Sequence, residues 1–309
     1  MGNNSYDVII IGGGPGGYAA ALYAARANLS TLVLEKFSPG GQMATTDIVE
    51  NYPGFADGIN GFELGMQMKQ GAERFGVKSK MKEVKSVDLV SNPKIVQTAK
   101  DTFEAKTVIL ATGAFPRELG LANEANLRGR GVSYCATCDG MFYKGKTVVI
   151  VGGGNTAVAD AIFLAKICEK VYLVHRRDEL RASKTYIEAL EKTENIEFVW
   201  SSEVVEIMAE QFVTGVKVKS RKDDSVTEIA CDGVFVAIGN IPNTELIKGQ
   251  VELDEAGYVL ADETTRTNIP GVFAVGDMRQ KPLRQIVTAV ADGAVASKFA
   301  EEYIDSLGV

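Results

Sequence analysis

Two stretches of the chain share one pattern of apolar, glycine and small residues, at a spacing of 140 residues. The first begins at Tyr6 with YDVIIIGGGPGGYAAALYAARANLSTLVLEKF, and the second begins at Lys146 with KTVVIVGGGNTAVADAIFLAKICEKVYLVHRR. Each starts with an apolar, β-branched run that is typical of a strand buried on both faces. Glycines, a small-residue helix and a second apolar strand follow. The pattern therefore predicts two βαβ units.

The glycines of the first unit fit a dinucleotide-binding turn. Gly12, Gly14 and Gly17 form G-x-G-x-x-G, which allows a tight turn, close approach of a pyrophosphate and close helix–strand packing. The N-terminus of the next helix favours an anion. Glu35 ends the second strand, where a carboxylate can accept hydrogen bonds from an adenosine ribose. Glycine turns also serve packing alone, but here strand, glycines, helix and terminal acid occur in register.

The second unit carries a G-x-G-x-x-A variant of this turn, at Gly152, Gly154 and Ala157. His175 stands where Glu35 stands in the first unit. Three arginines follow, at Arg176, Arg177 and Arg181. Because the planar fork of arginine suits phosphate oxygens, a 2′-phosphate is expected at the ribose, and the second nucleotide is expected to be NADPH. The alternative is that HRRDELR is a solvated charge cluster at the start of a helix.

A pair of cysteines lies shortly before the second unit, in the segment CATCDG. Cys135 and Cys138 could form half of a zinc site, a structural disulfide or a redox dithiol. A structural zinc needs a second pair of ligands, and the chain has only one histidine, His175. Cys168 and Cys231 lie in apolar segments and are interpreted as small buried hydrophobic residues. No metal site is predicted.

Composition narrows the function classes. With 309 residues, 46% apolar and 24% charged, the chain has the length of about two globular domains. Its 33 basic and 40 acidic residues give a formal net charge of −7, which argues against a general nucleic-acid-binding surface. No stretch approaches the ~18 consecutive apolar residues of a membrane span, and no signal-peptide pattern is present. We therefore expect a cytoplasmic protein that contacts neither nucleic acid nor membrane.

Two further strand-like segments end alike and indicate where the chain crosses between domains. TVILATGAFP covers residues 107–116, and GVFVAIGNIP covers residues 233–242. After the second crossing, GVFAVGDMRQ again has strand character before its glycine. The expected fold is α/β, with two Rossmann-like dinucleotide-binding domains, the second inserted into the first. The expected domains are residues 1–117 with 245–309 and residues 118–244.

With these features in place, the chain resembles the low-molecular-weight thioredoxin reductases from Tyr6 to its last helix. The motifs that carry the resemblance are GGGPGG at 12–17, GGQ at 40–42, CATCDG at 135–140, GGGNTA at 152–157, HRRDELRA at 175–182, and VGD with RQIVTAVADG from 275 onward. The resemblance implies a flavoenzyme with FAD in the split domain and NADPH in the inserted domain. It also implies a homodimer whose substrate is thioredoxin or a thioredoxin-like protein.

The resemblance implies roles for individual residues. Glu35 would hold the FAD ribose and Asp277 the ribityl chain, while Gln42, Asn51 and Gln285 would lie near the isoalloxazine. The remaining positions expected to contact a cofactor are Gly12, Gly14, Pro15, Gly17, Gly41, Gly113, Gly276, Arg284 and Ile286 in the split domain, and Gly152, Gly154, Asn155, Thr156, His175, Arg176, Arg177 and Arg181 in the inserted domain. The chain departs from the usual family pattern at Asn155-Thr156, where Asp-Ser is frequent, and at Met141, where an aromatic residue is common.

The implied chemistry joins hydride transfer to disulfide reduction. A flavin can accept a hydride from NADPH and can also reduce a disulfide, and the resulting dithiol attacks the partner disulfide through a mixed disulfide. By resemblance, Cys138 is the sulfur nearer the flavin, and Asp139 is expected to manage protons beside Cys135 and Cys138. The alternative for Asp139 is a helix-cap or turn residue.

Three other functions fit the sequence less well. Flavoproteins that reduce ferredoxin or flavodoxin share the two nucleotide domains but lack the C-x-x-C. A flavin-dependent dithiol oxidase would have no use for the arginines that follow His175. A non-catalytic flavin-binding module would need neither a second nucleotide site nor a dithiol. The sequence therefore favours a disulfide reductase.

Overall fold

The chain, described here by a computed structural model over residues 4–308, forms two compact units. The first contains the chain up to Phe115 and from Ile241 onward, and the second contains Pro116–Asn240. The predicted boundaries, after residues 117 and 244, lie two and four residues further along the chain. The assignment of one nucleotide to each domain stays a prediction. Within the described range, no helix is both long enough and apolar enough to cross a membrane.

The first unit is built on a seven-stranded sheet whose centre is parallel. Its strands are β1 (Ser5–Ile11), β2 (Thr31–Glu35), β3 (Lys78–Met81), β4 (Val84–Asp88), β5 (Lys94–Thr98), β6 (Thr102–Leu110) and β17 (Val272–Ala274). The order is β3-β2-β1-β6-β5-β4, and β17 also pairs with β6. The pairs β3-β2, β2-β1, β1-β6 and β6-β17 are parallel. The strand β5 is antiparallel to both β4 and β6.

The apolar run of β1 has both faces buried. Val8 and Ile10 pack into one cluster, which includes alanines of three helices. Ile9 and Ile11 pack into the cluster on the other face. Because successive strand residues point to opposite faces, a strand covered on both sides needs an unbroken apolar run. This packing explains the continuous apolar pattern from which a buried strand was predicted.

Within residues 4–308, three α-helices belong to the first unit, and two of them pack very closely. The helices are α1 (Pro15–Arg26), α2 (Gly61–Glu73) and α6 (Ile286–Ser306). Gly293 of α6 lies against α1, where a Cβ on Gly293 would be 2.3 Å from Gly16 O and 2.7 Å from Ala20 N. Ser297 Oγ donates a hydrogen bond to Ala20 O at 2.7 Å. Small residues on both helices therefore allow backbone-to-backbone packing.

The second unit contains a five-stranded parallel sheet and a three-stranded antiparallel sheet. The parallel strands are β8 (Val132–Ser133), β9 (Thr147–Val151), β10 (Lys170–Val174), β11 (Ile196–Val199) and β15 (Gly233–Val236), in the order β11-β10-β9-β15-β8. The antiparallel strands are β12 (Ser202–Ala209), β13 (Val213–Ser220) and β14 (Val226–Ala230). The helices are α3 (Ala136–Asp139), α4 (Asn155–Ala165) and α5 (Lys184–Glu191).

The boundaries between the units fall within two short strands. These are β7 (Ala114–Pro116) and β16 (Asn240–Pro242), which form a two-stranded sheet. Both strands lie in the segments interpreted from the sequence as domain crossings.

The predicted repeat is confirmed in the two units. The units β1-α1-β2 and β9-α4-β10 are both parallel βαβ units, and their helices begin at Pro15 and Asn155, which are 140 residues apart. Cys168 and Cys231 are buried and free, as expected from their apolar segments. The α/β fold class predicted from the sequence is therefore correct.

Substitution of Gly293 tests the close packing of α6 on α1. We expect Gly293→Ala to lower the free energy of unfolding by about 1–3 kcal/mol, because the new methyl group would overlap backbone atoms that cannot move separately. Gly71→Ala in α2 is the matched control, since a Cβ at Gly71 meets no atom within 4 Å. It should stabilise the chain by up to about 1 kcal/mol through helix propensity. Equal urea midpoints for the two variants would contradict this packing.

Candidate dinucleotide and dithiol sites

The first glycine turn is fixed by contacts between backbone atoms. Gly12 has φ +111°, and a Cβ there would lie 2.3 Å from Ala111 O at the end of β6. A Cβ on Gly17 would lie 2.0 Å from Gly12 O. Both positions therefore require glycine, which is the steric reason for the first and third glycines of the motif.

The middle glycine of this turn is open, in contrast to the other two. A Cβ on Gly14 would meet no described atom within 4 Å, and Gly41 faces it, with its own Cβ position 3.4 Å from Gly14 Cα. Gly14 is the N-cap of α1, has no side-chain hydrogen bond to the helix, and precedes Pro15. An open, uncapped helix N-terminus lined by glycine suits a pyrophosphate.

Glu35 lies directly beside the glycine turn. Its Oε2 accepts a hydrogen bond from the Gly13 N–H at 2.5 Å, and its Oε1 accepts one from the Phe37 N–H at 2.9 Å. The carboxylate is therefore held at the carboxyl end of β2, where a ribose hydroxyl could reach its remaining lone pairs. The structure thus brings Glu35 and Gly12–Gly17 together as the motif predicts.

The residues expected near the isoalloxazine lie in two segments that meet. Asn51 Nδ2 donates a hydrogen bond to Gln285 Oε1 at 3.0 Å, and Gln42 Nε2 donates one to Ala114 O. Gln285 caps α6 in a reciprocal capping box with Thr288. Ile286, the first residue of α6, packs on the apolar cluster Met43, Val49, Ile59 and Leu64. Gly113 has φ +72° and open space at its Cβ position, immediately before β7.

Asp277 lies in a short 3-10 helix, Gly276–Met278, that follows β17. Its Oδ1 is buried, and within residues 4–308 nothing forms a hydrogen bond to that oxygen. Burial raises the pKa of Asp277, and the charges of Arg284 and Lys281 offset part of the effect. Arg284 Nε binds Asp277 O at 3.2 Å, and its guanidinium lies 4.1 Å from the ring centre of Tyr258. A buried, unpaired acceptor indicates a missing donor, such as a ligand hydroxyl.

The second glycine turn has the same steric constraints as the first. A Cβ on Gly152 would lie 2.4 Å from Ala237 O, and Gly154, the N-cap of α4, has open space around its Cβ position. The loop that follows β10 lies against this turn. The Arg181 N–H donates to Gly153 O at 2.8 Å, and Asn155 Oδ1 accepts from the Ser183 N–H at 2.8 Å. Thr156 is exposed on the first turn of α4.

His175 is buried against the second turn, with 4% of its surface exposed. A Cβ on Gly153 would lie 2.3–2.5 Å from three atoms of the His175 ring, so the ring covers that glycine. Its Nε2 is buried and has no hydrogen-bond partner among the described residues. Burial lowers the pKa of His175, and the charges of Arg181, Arg176 and Arg177 lower it further. The ring is therefore neutral near pH 7.

The three arginines after β10 are exposed, and no carboxylate of residues 4–308 forms an ion pair with Arg176, Arg177 or Arg181. Backbone hydrogen bonds hold this segment, because the Ser201 N–H donates to Arg177 O at 2.9 Å and the Ser202 N–H donates to His175 O at 3.0 Å. Uncompensated guanidinium groups on a fixed backbone can bind a phosphate.

Cys135 and Cys138 form a disulfide with an S–S distance of 2.04 Å. Cys135 is the N-cap of the short helix α3, and the N–H groups of Cys138 and Asp139 both donate to Cys135 O. Gly140 ends this turn under Phe163 and Leu164 of α4, both 3.0 Å from its Cβ position. The dithiol is therefore supported by the helix of the second βαβ unit. No cluster of residues suited to a metal ion occurs in the described chain.

A buried serine links the two ends of the dithiol segment. Ser133 Oγ donates a hydrogen bond to Asp139 Oδ2 at 2.6 Å and accepts one from the Cys135 N–H at 3.1 Å. Burial raises the pKa of Asp139, and the Ser133 hydrogen bond and the Arg128 charge offset part of the rise. Asp139 is thus a carboxyl group with a raised pKa, one residue after Cys138.

Sequence reasoning missed two buried polar residues beside the dithiol segment, Ser133 and Glu124, and a carboxyl group on α4 whose pKa is raised. Glu124 is 1% exposed and accepts hydrogen bonds from Tyr134 Oη at 2.8 Å and from three backbone N–H groups. It thereby holds the residue that precedes Cys135. Asp160 lies on α4, one turn after Thr156, and burial raises its pKa to about 6. Glu124, Ser133 and Asp160 are in no recognised motif, so only the structure identifies them.

Comparison with known proteins agrees with this geometry. Residues 6–293 match the model of the family described as pyridine nucleotide-disulphide oxidoreductase, and the chain belongs to this family. Among its relatives, the thioredoxin reductase of Listeria monocytogenes is 46% identical over 303 residues, which cover 98% of this chain and 95% of that protein. The chain is thus similar to thioredoxin reductases over nearly its whole length.

Solved structures give the same result. The crystal structure of thioredoxin reductase from Streptococcus pyogenes is 45% identical, with a TM-score of 0.92 over 98% of this chain and 99% of that one. Thioredoxin reductase from Giardia duodenalis is 38% identical, with a TM-score of 0.92 over 98% of this chain and 100% of that one. The resemblance stated from the sequence motifs is therefore confirmed, while the roles of individual residues stay predictions.

The raised pKa of Asp160 predicts a pH-dependent cost. The carboxyl is neutral in the folded chain below about pH 6, whereas it ionises near 3.8 in the unfolded chain. As pH rises from about 3.8 to about 6, the folded chain therefore loses stability relative to a variant with a neutral side chain at position 160. We expect Asp160→Asn to raise the urea midpoint at about pH 7.5, by a free energy on the order of 1–3 kcal/mol, and to give no gain at about pH 4.

Asp223→Asn is the control for the Asp160 variant. Hydrogen bonds from Ser220 and Ser225 lower the pKa of Asp223, which is exposed, so its replacement offers no gain at neutral pH. A gain for Asp160→Asn that is the same at both pH values would mean that the carboxyl is not penalised by burial.

Proposed function

We propose that this chain is an NADPH-dependent thioredoxin-disulfide reductase that uses FAD and the Cys135–Cys138 pair. The observation that carries the proposal is the Cys135–Cys138 disulfide, placed under the helix of a second dinucleotide turn in a chain that also contains a first such turn. A flavoprotein that reduces ferredoxin or flavodoxin has no use for this disulfide. A related reductase for another thioredoxin-like protein would share all of these features. The two functions differ only in the protein whose disulfide is reduced.

The residues of the first unit fit FAD. The open glycine at position 14 and the uncapped α1 suit the pyrophosphate, Glu35 suits the adenosine ribose, and the unpaired Oδ1 of Asp277 suits a ribityl hydroxyl. In the second unit, Gly154 and the exposed Arg176 and Arg177 fit NADPH. When bound, NADPH supplies a hydride, and FAD supplies a centre that accepts the hydride and can reduce a disulfide.

The reduced cysteine pair carries out the exchange with the partner. A thiolate of Cys135 or Cys138 attacks one sulfur of the partner disulfide, and the other partner sulfur leaves as a thiolate that takes up a proton. The second cysteine then attacks the mixed disulfide and restores Cys135–Cys138. The partner gains two electrons and two protons, which the dithiol loses. Asp139, which accepts a hydrogen bond from Ser133 at 2.6 Å, would accept and return one of these protons.

The surface around the dithiol suits a protein substrate. Met141 and Phe142, which follow the dithiol helix, are 57% and 46% exposed. Arg128 and Arg130, which precede it, are also exposed. Exposed apolar side chains flanked by cations favour an acidic, partly apolar docking surface such as that of a thioredoxin. We propose further that the protein is a homodimer and is cytoplasmic, as the family resemblance and the few cysteines suggest.

Replacement of either cysteine separates the two halves of the reaction. We expect Cys135→Ser and Cys138→Ser to lower thioredoxin reduction by at least about a thousandfold, because neither variant can form the disulfide. The bound flavin should still be bleached by NADPH at a rate close to that of the wild type. The measurements are anaerobic stopped-flow absorbance and steady-state thioredoxin reduction. Cys168→Ser is the control and should keep both activities. Normal turnover in either active-site variant would overturn the proposal.

The arginines after His175 set the expected preference for NADPH. Each charge-assisted contact to the 2′-phosphate contributes about 1.5–3 kcal/mol, so Arg176→Ala with Arg177→Ala should lower kcat/KM for NADPH by at least about tenfold. Because NADH has no such phosphate, its kcat/KM should stay within about twofold. Lys192→Ala, which removes another exposed cation of the same unit, is the control. An unchanged ratio of kcat/KM for NADPH and NADH would exclude this role.

A further inference from the structure

A cluster of buried charges lies directly behind the turn that carries Asp277, and no step of the proposed reaction uses it. Its centre is Asp292, on the second turn of α6. The carboxylate accepts hydrogen bonds from the Gly276 N–H at 2.8 Å, from Arg279 Nε at 3.0 Å and Nη2 at 2.7 Å, and from Lys281 Nζ at 2.7 Å. The three charged side chains are only 4–8% exposed.

This cluster is a fixed arrangement rather than an exchangeable surface ion pair. Burial raises the pKa of Asp292, but hydrogen bonds from Arg279 and Lys281 outweigh that effect and hold the pKa below its usual value. Removal of one partner from a buried pair leaves an uncompensated charge, which is strongly unfavourable. The carboxylate therefore stays ionised and keeps its four donors in place.

The donors come from both sides of Asp277. Gly276 precedes it, has φ +72° and is anchored through its N–H, while Arg279 and Lys281 follow it. Two further hydrogen bonds fix these side chains: Arg279 Nη1 donates to Ala261 O at 3.2 Å, and Lys281 Nζ donates to Thr288 O at 3.2 Å. One side chain of α6 thus holds the backbone before Asp277, whose Oδ1 is unpaired, and two side chains after it.

We propose that Asp292 is a positioning residue for the flavin site. Its carboxylate holds residues 276–281 in the one conformation in which Asp277 offers an unpaired oxygen to the ribityl hydroxyls of FAD. The inference rests on the proposed function, since it takes FAD as the ligand of the first unit. It assigns to Asp292 no contact with the cofactor, so its effect is on the affinity for FAD and on the environment of the bound flavin.

The test compares FAD affinity with apoprotein stability in the full chain. Apoprotein is titrated with FAD, flavin fluorescence gives the dissociation constant, and the visible circular dichroism of the bound flavin reports its environment. We expect Asp292→Asn to raise the dissociation constant by at least about tenfold and to change the dichroism. Lys281→Gln keeps the contacts of Asp292 to Gly276 and Arg279. It should raise the FAD dissociation constant by about threefold or more. If Asp292→Asn yields no folded apoprotein, Lys281→Gln alone decides.

Ser297→Ala is the matched control. It removes a buried hydrogen bond from the same helix to Ala20 O, five residues beyond Asp292, but touches no part of residues 276–281. It should lower the melting temperature of the apoprotein while its FAD dissociation constant stays within about twofold of the wild type. An unchanged dissociation constant in Asp292→Asn or Lys281→Gln would overturn the inference. The inference would also be overturned if Ser297→Ala raised the FAD dissociation constant as much as Asp292→Asn does, at the same loss of melting temperature.

The two proposals fail in different ways. If wild-type protein binds no FAD or does not reduce thioredoxin, the proposed function is wrong. If the wild type does both and the Asp292 and Lys281 variants bind FAD equally well, only the role of Asp292 is wrong.

Discussion

The sites of this chain depend on the close approach of backbone atoms at the carboxyl ends of parallel strands. Gly12 lies against Ala111 O and Gly17 against Gly12 O, at distances that leave no room for a side chain. These contacts fix the start of α1 relative to β1 and β6. Because β2 and β17 end at the same edge, Glu35 and Asp277 come to lie on the same side of the sheet as the turn. The close backbone contacts at Gly12 and Gly17 thus border an open space at Gly14 that suits a ligand.

The second unit uses the same backbone with different chemistry. In the first copy, Glu35 at the end of β2 binds the Gly13 N–H through a carboxylate. In the second, His175 covers the equivalent Gly153 with a neutral ring, and the cations lie further along the loop. Under the proposed function, this difference removes an acid that would repel a phosphate and leaves exposed arginines to bind one. Selectivity between nucleotides can therefore change at the strand end without a change of fold.

Most of the fold and part of the site could be predicted from the sequence. The repeat, both glycine turns, the dithiol and the acid at Glu35 follow from short motifs, because local steric rules fix their residue types. The hydrogen bonds of Ser133, Glu124 and Asp292 could not be predicted. Their partners are 2 to 16 residues away, and the distant partners, such as Gly276 for Asp292, meet only after strands and helices have packed. A serine or an aspartate in such a position has no sequence pattern that separates it from a surface residue.

Asp277 and Asp292 show how burial alone fails to distinguish structure from function. Asp292 is 6% exposed, the Oδ1 of Asp277 is buried, and the two residues belong to adjoining segments of the first unit. Asp292 has its hydrogen-bonding capacity met by protein donors, and its pKa is lowered despite burial. Asp277 keeps a buried oxygen without a described donor, and burial raises its pKa. A fold tolerates such an unmet acceptor when a ligand completes it. The full pairing of Asp292 and the unpaired Oδ1 of Asp277 therefore support the proposal that Asp292 positions the turn and Asp277 binds the ligand.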